Sequence, residues 1–203
     1  MARIDDYQQA RDLTASALAS QDLADIARRS GFQMIDPAQL RVPFLTRTYR
    51  VDCPGFRFTD EADAAAQVPL QEQVLLLHYL QNCRPHVSGR WIAYREIPGA
   101  TFYFDAFVKR AVDPLKQMFG HNLDGLRRAA AKLHAVDPGG GTPGVQLTVL
   151  PYAPLQVIVW EGDEEFPAEA NILFDSTAGD YLSPEDAAWL ASLTVYRLMA
   201  LAR

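Results

Sequence analysis

Three apolar runs follow one another in the C-terminal third of the chain: Val145-Gln146-Leu147-Thr148-Val149-Leu150, Leu155-Gln156-Val157-Ile158-Val159-Trp160 and Asn171-Ile172-Leu173-Phe174. Each has strand length and is rich in β-branched or aromatic residues. Pro151 and Pro154 bracket a hairpin turn between the first two, so the segment reads as a β-meander. Upstream, Asp137-Pro138-Gly139-Gly140-Gly141-Thr142-Pro143-Gly144 is a flexible connector. Its glycine run is not a phosphate loop, because it lacks a Gly-Lys-Ser/Thr ending and leads into a strand instead of a helix. Downstream, Ser183-Pro184-Glu185-Asp186 combines a capping hydroxyl, a first-turn proline and two acids, the start of a helix that runs to Leu201.

Further out, residues 5–29 carry a loose apolar stripe (Tyr7, Leu13, Ala17, Leu23, Ile26), which predicts helix, with Ser20 capping a second segment and Gly31 as the stop. Residues 32–52 read as extended, with Pro43 and Pro54 at edges or turns, and residues 55–68 are polar and read as loop. Pro69 opens a helix in which Val74-Leu75-Leu76-Leu77-His78-Tyr79-Leu80 is apolar on nearly every face, so central burial is expected. Trp91–Ile97 reads as a strand closed by Pro98-Gly99. Helices are expected over 102–119, kinked near Pro114, and over 122–134 with Asn122 as cap. This order does not alternate strictly, which predicts the α+β class. The expectation is one domain, 1–203, with a mainly antiparallel sheet packed against several helices. An N-terminal lobe of residues 1–68 would precede a main core of residues 69–203.

Apolar residues make up 49 % of the 203 and charged residues 22 %, enough for a packed core. The net charge of −6 argues against nucleic acid or an anionic membrane as partner, since both need a basic footprint. The acidity is local: residues 133–196 hold ten carboxylates and no Lys or Arg. Cys53 and Cys83 are too few for a disulfide framework and form no CxxC pair. No signal-like segment opens the chain, and no apolar run approaches the ~20 residues that cross a bilayer. A cytoplasmic protein with free thiols is expected, Cys83 being the more exposed and reactive of the two.

The segment Trp160-Glu161-Gly162-Asp163-Glu164-Glu165-Phe166-Pro167-Ala168-Glu169-Ala170-Asn171-Ile172-Leu173-Phe174-Asp175 resembles the signature of a prokaryotic family, domain of unknown function 3786. Leu75–Leu80, Ser88–Gly99 and Tyr181–Asp186 resemble it more weakly, so the likeness covers most of the chain after residue 70. The resemblance implies an anaerobic prokaryotic setting but no established chemistry. Some relatives carry a cysteine-rich iron–sulfur module, of which this sequence has no counterpart.

The acidic signature is the leading candidate site. Glu161, Asp163, Glu164 and Glu165 crowd the end of one strand and Asp175 ends the next, so hard-oxygen ligation of a divalent cation competes with a solvated acidic turn. Period two along Arg90–Glu96 places Trp91, Ala93 and Arg95 on one face. Either Arg95 or Arg90 holds an anionic ligand, or one of the two pairs with the acidic signature. His78 on the buried helix reads as a core histidine. His86, His121 and His134 lack zinc spacing, so no metal site is assigned. Two functions are weighed. The first is a small-molecule or cofactor-binding domain, catalytic or not, whose acidic pocket joins Asp163, Glu165 and Asp175 to Arg95, Trp91 and Trp160. The second is a non-catalytic accessory module that binds a basic protein partner. Cofactor and oligomeric state stay open.

Overall fold

The computed structural model describes residues 4–203, an α+β chain in two compact units, each with its own antiparallel sheet. The first unit runs to His86 and also takes in Asp180–Leu182. The second comprises Val87–Gly179 and Ser183–Arg203.

In the first unit, α1 (Ile4–Ala19) and α2 (Leu23–Ser30) precede β1 (Gln33–Asp36), β2 (Gln39–Phe44), β3 (Arg47–Asp52), β4 (Arg57–Asp60) and α3 (Leu70–Asn82). The break between α1 and α2 is set by Asp22 and not by Ser20. Asp22 Oδ1 accepts from Ala24 N at 2.7 Å, whereas the Ser20 hydroxyl turns back to Ala17 O. Gly31 closes α2 at φ 74°, a left-handed position suited to glycine. The strands pair in sequence order. Their core face carries Leu40, Val42, Phe44, Tyr49 and Val51, while Arg41 and Arg50 face out.

β4 lies inside the stretch that reads as loop. Phe58 is its one large apolar residue, too little for alternation to register, and pairing with β3 supplies the strand by setting Val51 opposite Phe58. α3 is buried at Val74, Leu75, Leu76, Leu77, Tyr79 and Leu80, as an all-round apolar helix must be. The expected lobe boundary near residue 68 precedes α3, whereas the compact unit takes α3 in and continues to His86. The Tyr49 hydroxyl donates to the Glu72 carboxylate, joining β3 to α3 across the buried side of the sheet.

The second unit contains β5 (Trp91–Ala93), α4 (Phe104–Phe107), α5 (Asp113–Phe119), α6 (Leu123–Ala131), β6 (Gly144–Leu150), β7 (Ala153–Trp160), β8 (Glu169–Asp175) and α7 (Pro184–Leu201). The expected meander is present, and β5 adds to its far edge to give the order β5-β8-β7-β6. β7 is buried from Ala153 to Val159, on both faces of the sheet. α6 packs on β6, α5 packs on β7 and β8, and α7 packs against α4, α5 and α6.

Trp91–Ile97 is not one strand. The Glu96 carboxylate accepts from Ala93 N at 2.7 Å and folds Tyr94–Glu96 into a 3₁₀ turn, so the expected two-face alternation stops at Ala93. That turn drops Tyr94 into the core, where it stacks on Phe107 at 4.1 Å and donates to Pro184 O at 2.7 Å. The kink expected near Pro114 takes the form of a π-helical turn, Val108–Val112. Proline has no amide to give and crowds the carbonyl four residues back, and widening the register by one residue relieves both. Ser183 caps α7 as expected: its Oγ accepts from Asp186 N at 3.1 Å, and Asp186 accepts from Ser183 N at 3.3 Å in return. Among the described residues no helix is long and apolar enough to cross a membrane.

Candidate functional site

The position of each candidate residue follows from β8. At one end of this strand Glu169 faces Trp160 on β7, and at the other Asp175 faces Trp91 on β5. A strand of this length, rising about 3.3 Å per residue, holds its ends about 20 Å apart. Trp160, Asp163 and Glu165 therefore lie at one end of the sheet, and Trp91 and Asp175 at the other. The single acidic pocket expected from these residues does not form, because antiparallel pairing sends the two acid-bearing ends in opposite directions.

Asp175 is fully buried and committed. Its oxygens accept from Ser88 N at 3.1 Å, Ser88 Oγ at 3.0 Å, Gly89 N at 2.7 Å, Thr177 N at 3.0 Å and Thr177 Oγ1 at 2.6 Å. Burial pushes its carboxyl up, but the bonds from Thr177, Ser88 and Gly89 outweigh that and hold it below its ordinary value. Its role is to fasten the segment before β5 to the turn after β8. Arg95, on the 3₁₀ turn, does not pair with the acidic segment. Its guanidinium carbon lies 3.7 Å from the centroid of the Phe104 ring, a cation–π contact. Trp91 is half-buried on the edge strand.

The acidic segment is a built loop. Glu161 Oε1 accepts from Leu123 N at 2.9 Å, satisfying an otherwise unpaired amide at the start of α6 beside the Asn122 cap. Gly162 N donates to Gly120 O at 3.0 Å. A Cβ on Gly162 would lie 2.6 Å from Ala168 N and 2.7 Å from His121 Cε1, and one on Gly120 would lie 2.6 Å from Ala168 Cβ, so both contacts require glycine. Asp163 Oδ1 then accepts from Glu165 N at 2.8 Å and Phe166 N at 2.7 Å, while Asp163 N donates to Phe166 O at 2.9 Å. The amides of Phe166 and Glu165 hold the Asp163 carboxyl below its ordinary value. This leaves Glu164 and Glu165 exposed, with Phe166 68 % exposed at the tip and Trp160 46 % exposed at the base. Sequence reading found the acids but missed the anchors Gly120 and Leu123, which carry no motif and sit about forty residues upstream.

The two thiols exchange the roles expected of them. Cys83 is buried and donates to Arg29 O at 3.4 Å, whereas Cys53 is half-exposed. The end of α3 folds back against α2, which is what covers Cys83. Burial pushes both thiols up to about 11. His78 is half-buried on α3. Among the described residues, no three His, Cys, Asp or Glu side chains gather in a way that could hold a metal ion.

A family model described as domain of unknown function DUF3786 matches residues 22–197. The chain belongs to the DUF3786 family. No curated protein and no solved structure matches it. In this DUF3786 protein one stretch that carries the likeness, Leu75–Leu80, lies within the buried α3, and the other three include structural joints. Ser88-Gly89 grips Asp175, Glu161-Gly162 docks on the α5–α6 turn, and Tyr181–Asp186 ends one unit's insertion and caps α7.

Proposed function

We propose that this protein is a non-catalytic docking module in which the loop of residues 161–168 receives a basic protein partner. One observation carries the reading: five hydrogen bonds spend Glu161, Gly162 and Asp163 on holding the loop, and so present Glu164, Glu165 and Phe166 to solvent in a set geometry. A rigid loop loses little conformational entropy on binding. An exposed aromatic ringed by one sign of charge offers an apolar anchor within a steering field. The absence of Lys and Arg from residues 133–196 leaves that field uncancelled along the chain. The first alternative, an acidic pocket, loses its support because its members lie at two ends of β8.

The test is a fluorescence titration with a library of Lys/Arg-rich peptides carrying one large apolar residue. Saturable binding should weaken steadily with added salt. Phe166→Ala and the Glu164→Gln, Glu165→Gln pair should each weaken it by about tenfold. Binding that ignores salt, or that survives both variants, would sink the proposal.

A further inference from the structure

The acidic loop leaves the sheet at Trp160 on β7 and returns to it at Glu169 on β8, and these two residues face each other as the last pair of the two strands. Directly opposed residues of antiparallel strands project from the same face of the sheet, with Cβ atoms about 5 Å apart. The register therefore sets a carboxylate beside an indole. Both residues are exposed, and the sheet fixes the backbone beneath them.

Three observations leave this pair open to a cation from another molecule. Neither side chain has a hydrogen-bond or ion-pair partner among the described residues. No Lys or Arg occurs between residues 133 and 196, and among the described residues no ion pair reaches Glu164, Glu165 or Glu169. Elsewhere in this unit two aromatic rings each carry a guanidinium: the Arg95 carbon lies 3.7 Å from the Phe104 centroid and the Arg110 carbon 5.3 Å from that of Trp189. Trp160 carries none among the described residues.

Such a pair separates the two kinds of basic side chain. A guanidinium is planar and weakly hydrated, so it lies flat on an indole while its edge N–H groups reach a carboxylate beside the ring. An ammonium is compact and strongly hydrated, so it gains the charge attraction of the glutamates but little of the stacking. We infer that Trp160 and Glu169 select arginine over lysine in the basic partner. The guanidinium stacks on the Trp160 indole and donates to the Glu169 carboxylate, while Glu164 and Glu165 supply the attraction common to both side chains. The inference rests on the docking reading of the 161–168 loop and adds to it the side chain that is recognised.

The test uses two fluorescein-labelled peptides of equal length and charge, with arginine at every basic position of one and lysine at every basic position of the other. Fluorescence anisotropy on the full-length protein reads both affinities. The arginine peptide should bind about tenfold tighter. Trp160→Leu should weaken the arginine peptide about tenfold, with little change for the lysine peptide, and bring the two within about twofold of each other. Glu169→Gln, at an exposed position, should narrow the ratio in the same direction, and it decides the matter if Trp160→Leu does not fold. A general loosening of the loop would weaken both peptides alike, so the ratio is a readout that a merely structural role leaves unmoved. Equal affinities in the unmutated protein, or a preference that persists in the folded variants, overturn the inference. Equal and salt-sensitive binding of both peptides would leave the docking loop standing without its arginine preference, whereas no binding of either peptide removes both.

Discussion

Asp175 is held by five donors, all of them neutral, from Ser88, Gly89 and Thr177. Asp175→Asn would turn an amide against these donors and is expected to cost about 2–3 kcal/mol in urea unfolding. The acid side of the pH profile follows from the same bonds. A carboxyl held lower in the folded state than in the unfolded chain adds stability above its ordinary value of 3.8, and that stability is lost as pH falls through the lower folded value. Wild-type stability should therefore decline below about pH 4, and the Asp175→Asn profile should be flatter over the same window. The buried Tyr49–Glu72 bond makes a second prediction. Tyr49→Phe leaves the Glu72 carboxylate without that donor and should cost about 2 kcal/mol. In combination with Glu72→Leu the loss should fall well short of the sum, a coupling that a double-mutant cycle reads directly. The acidity at both positions was plain in the sequence, but its purpose was not. The amide that Asp175 accepts from at Ser88 lies 87 residues away, a distance across which no local pattern speaks.

Elements were legible wherever the local signals agreed with the tertiary ones. The meander, the buried α3, the Ser183 cap and the helical irregularity ahead of Pro114 all follow from periodicity, capping chemistry or proline sterics. β4 was not legible, because four residues with one large apolar side chain become a strand only through their neighbour. β5 was over-read, because Trp91–Ile97 has strand composition throughout and the Glu96 side chain ends it early. At this scale the docking of the acidic loop on the α5–α6 turn is testable. Gly120→Ala would set a methyl 2.5 Å from Lys116 O and 2.6 Å from Ala168 Cβ. It should cost on the order of 1–3 kcal/mol. Hydrogen exchange at the Gly162 amide, which donates to Gly120 O, should accelerate by more than the global loss explains.

For the whole molecule, class and charge layout were readable from composition and order, and the spread of the candidate site was not. Trp160, Asp163, Glu165 and Asp175 lie within sixteen positions of one another, and only the antiparallel register of β7, β8 and β5 reveals that they face two ends of a sheet. The division into units was equally hidden, since three residues near the C-terminus belong to the N-terminal unit. Tyr181 and Leu182 are 4 % and 2 % exposed there, and the Tyr181 ring meets Tyr79 of α3 edge-on at 5.9 Å. Tyr181→Ala should remove about 3 kcal/mol from this packing, and the amides of α3 should exchange faster than those of β7. The same threading has a consequence during biosynthesis. Residues up to His86 leave the ribosome long before Asp180–Leu182 do, and until then the surface of α3 that Tyr181 covers has no cover of its own. The part of the protein made first is thus completed by a part made almost last, so the nascent N-terminal unit spends most of translation with that apolar surface uncovered.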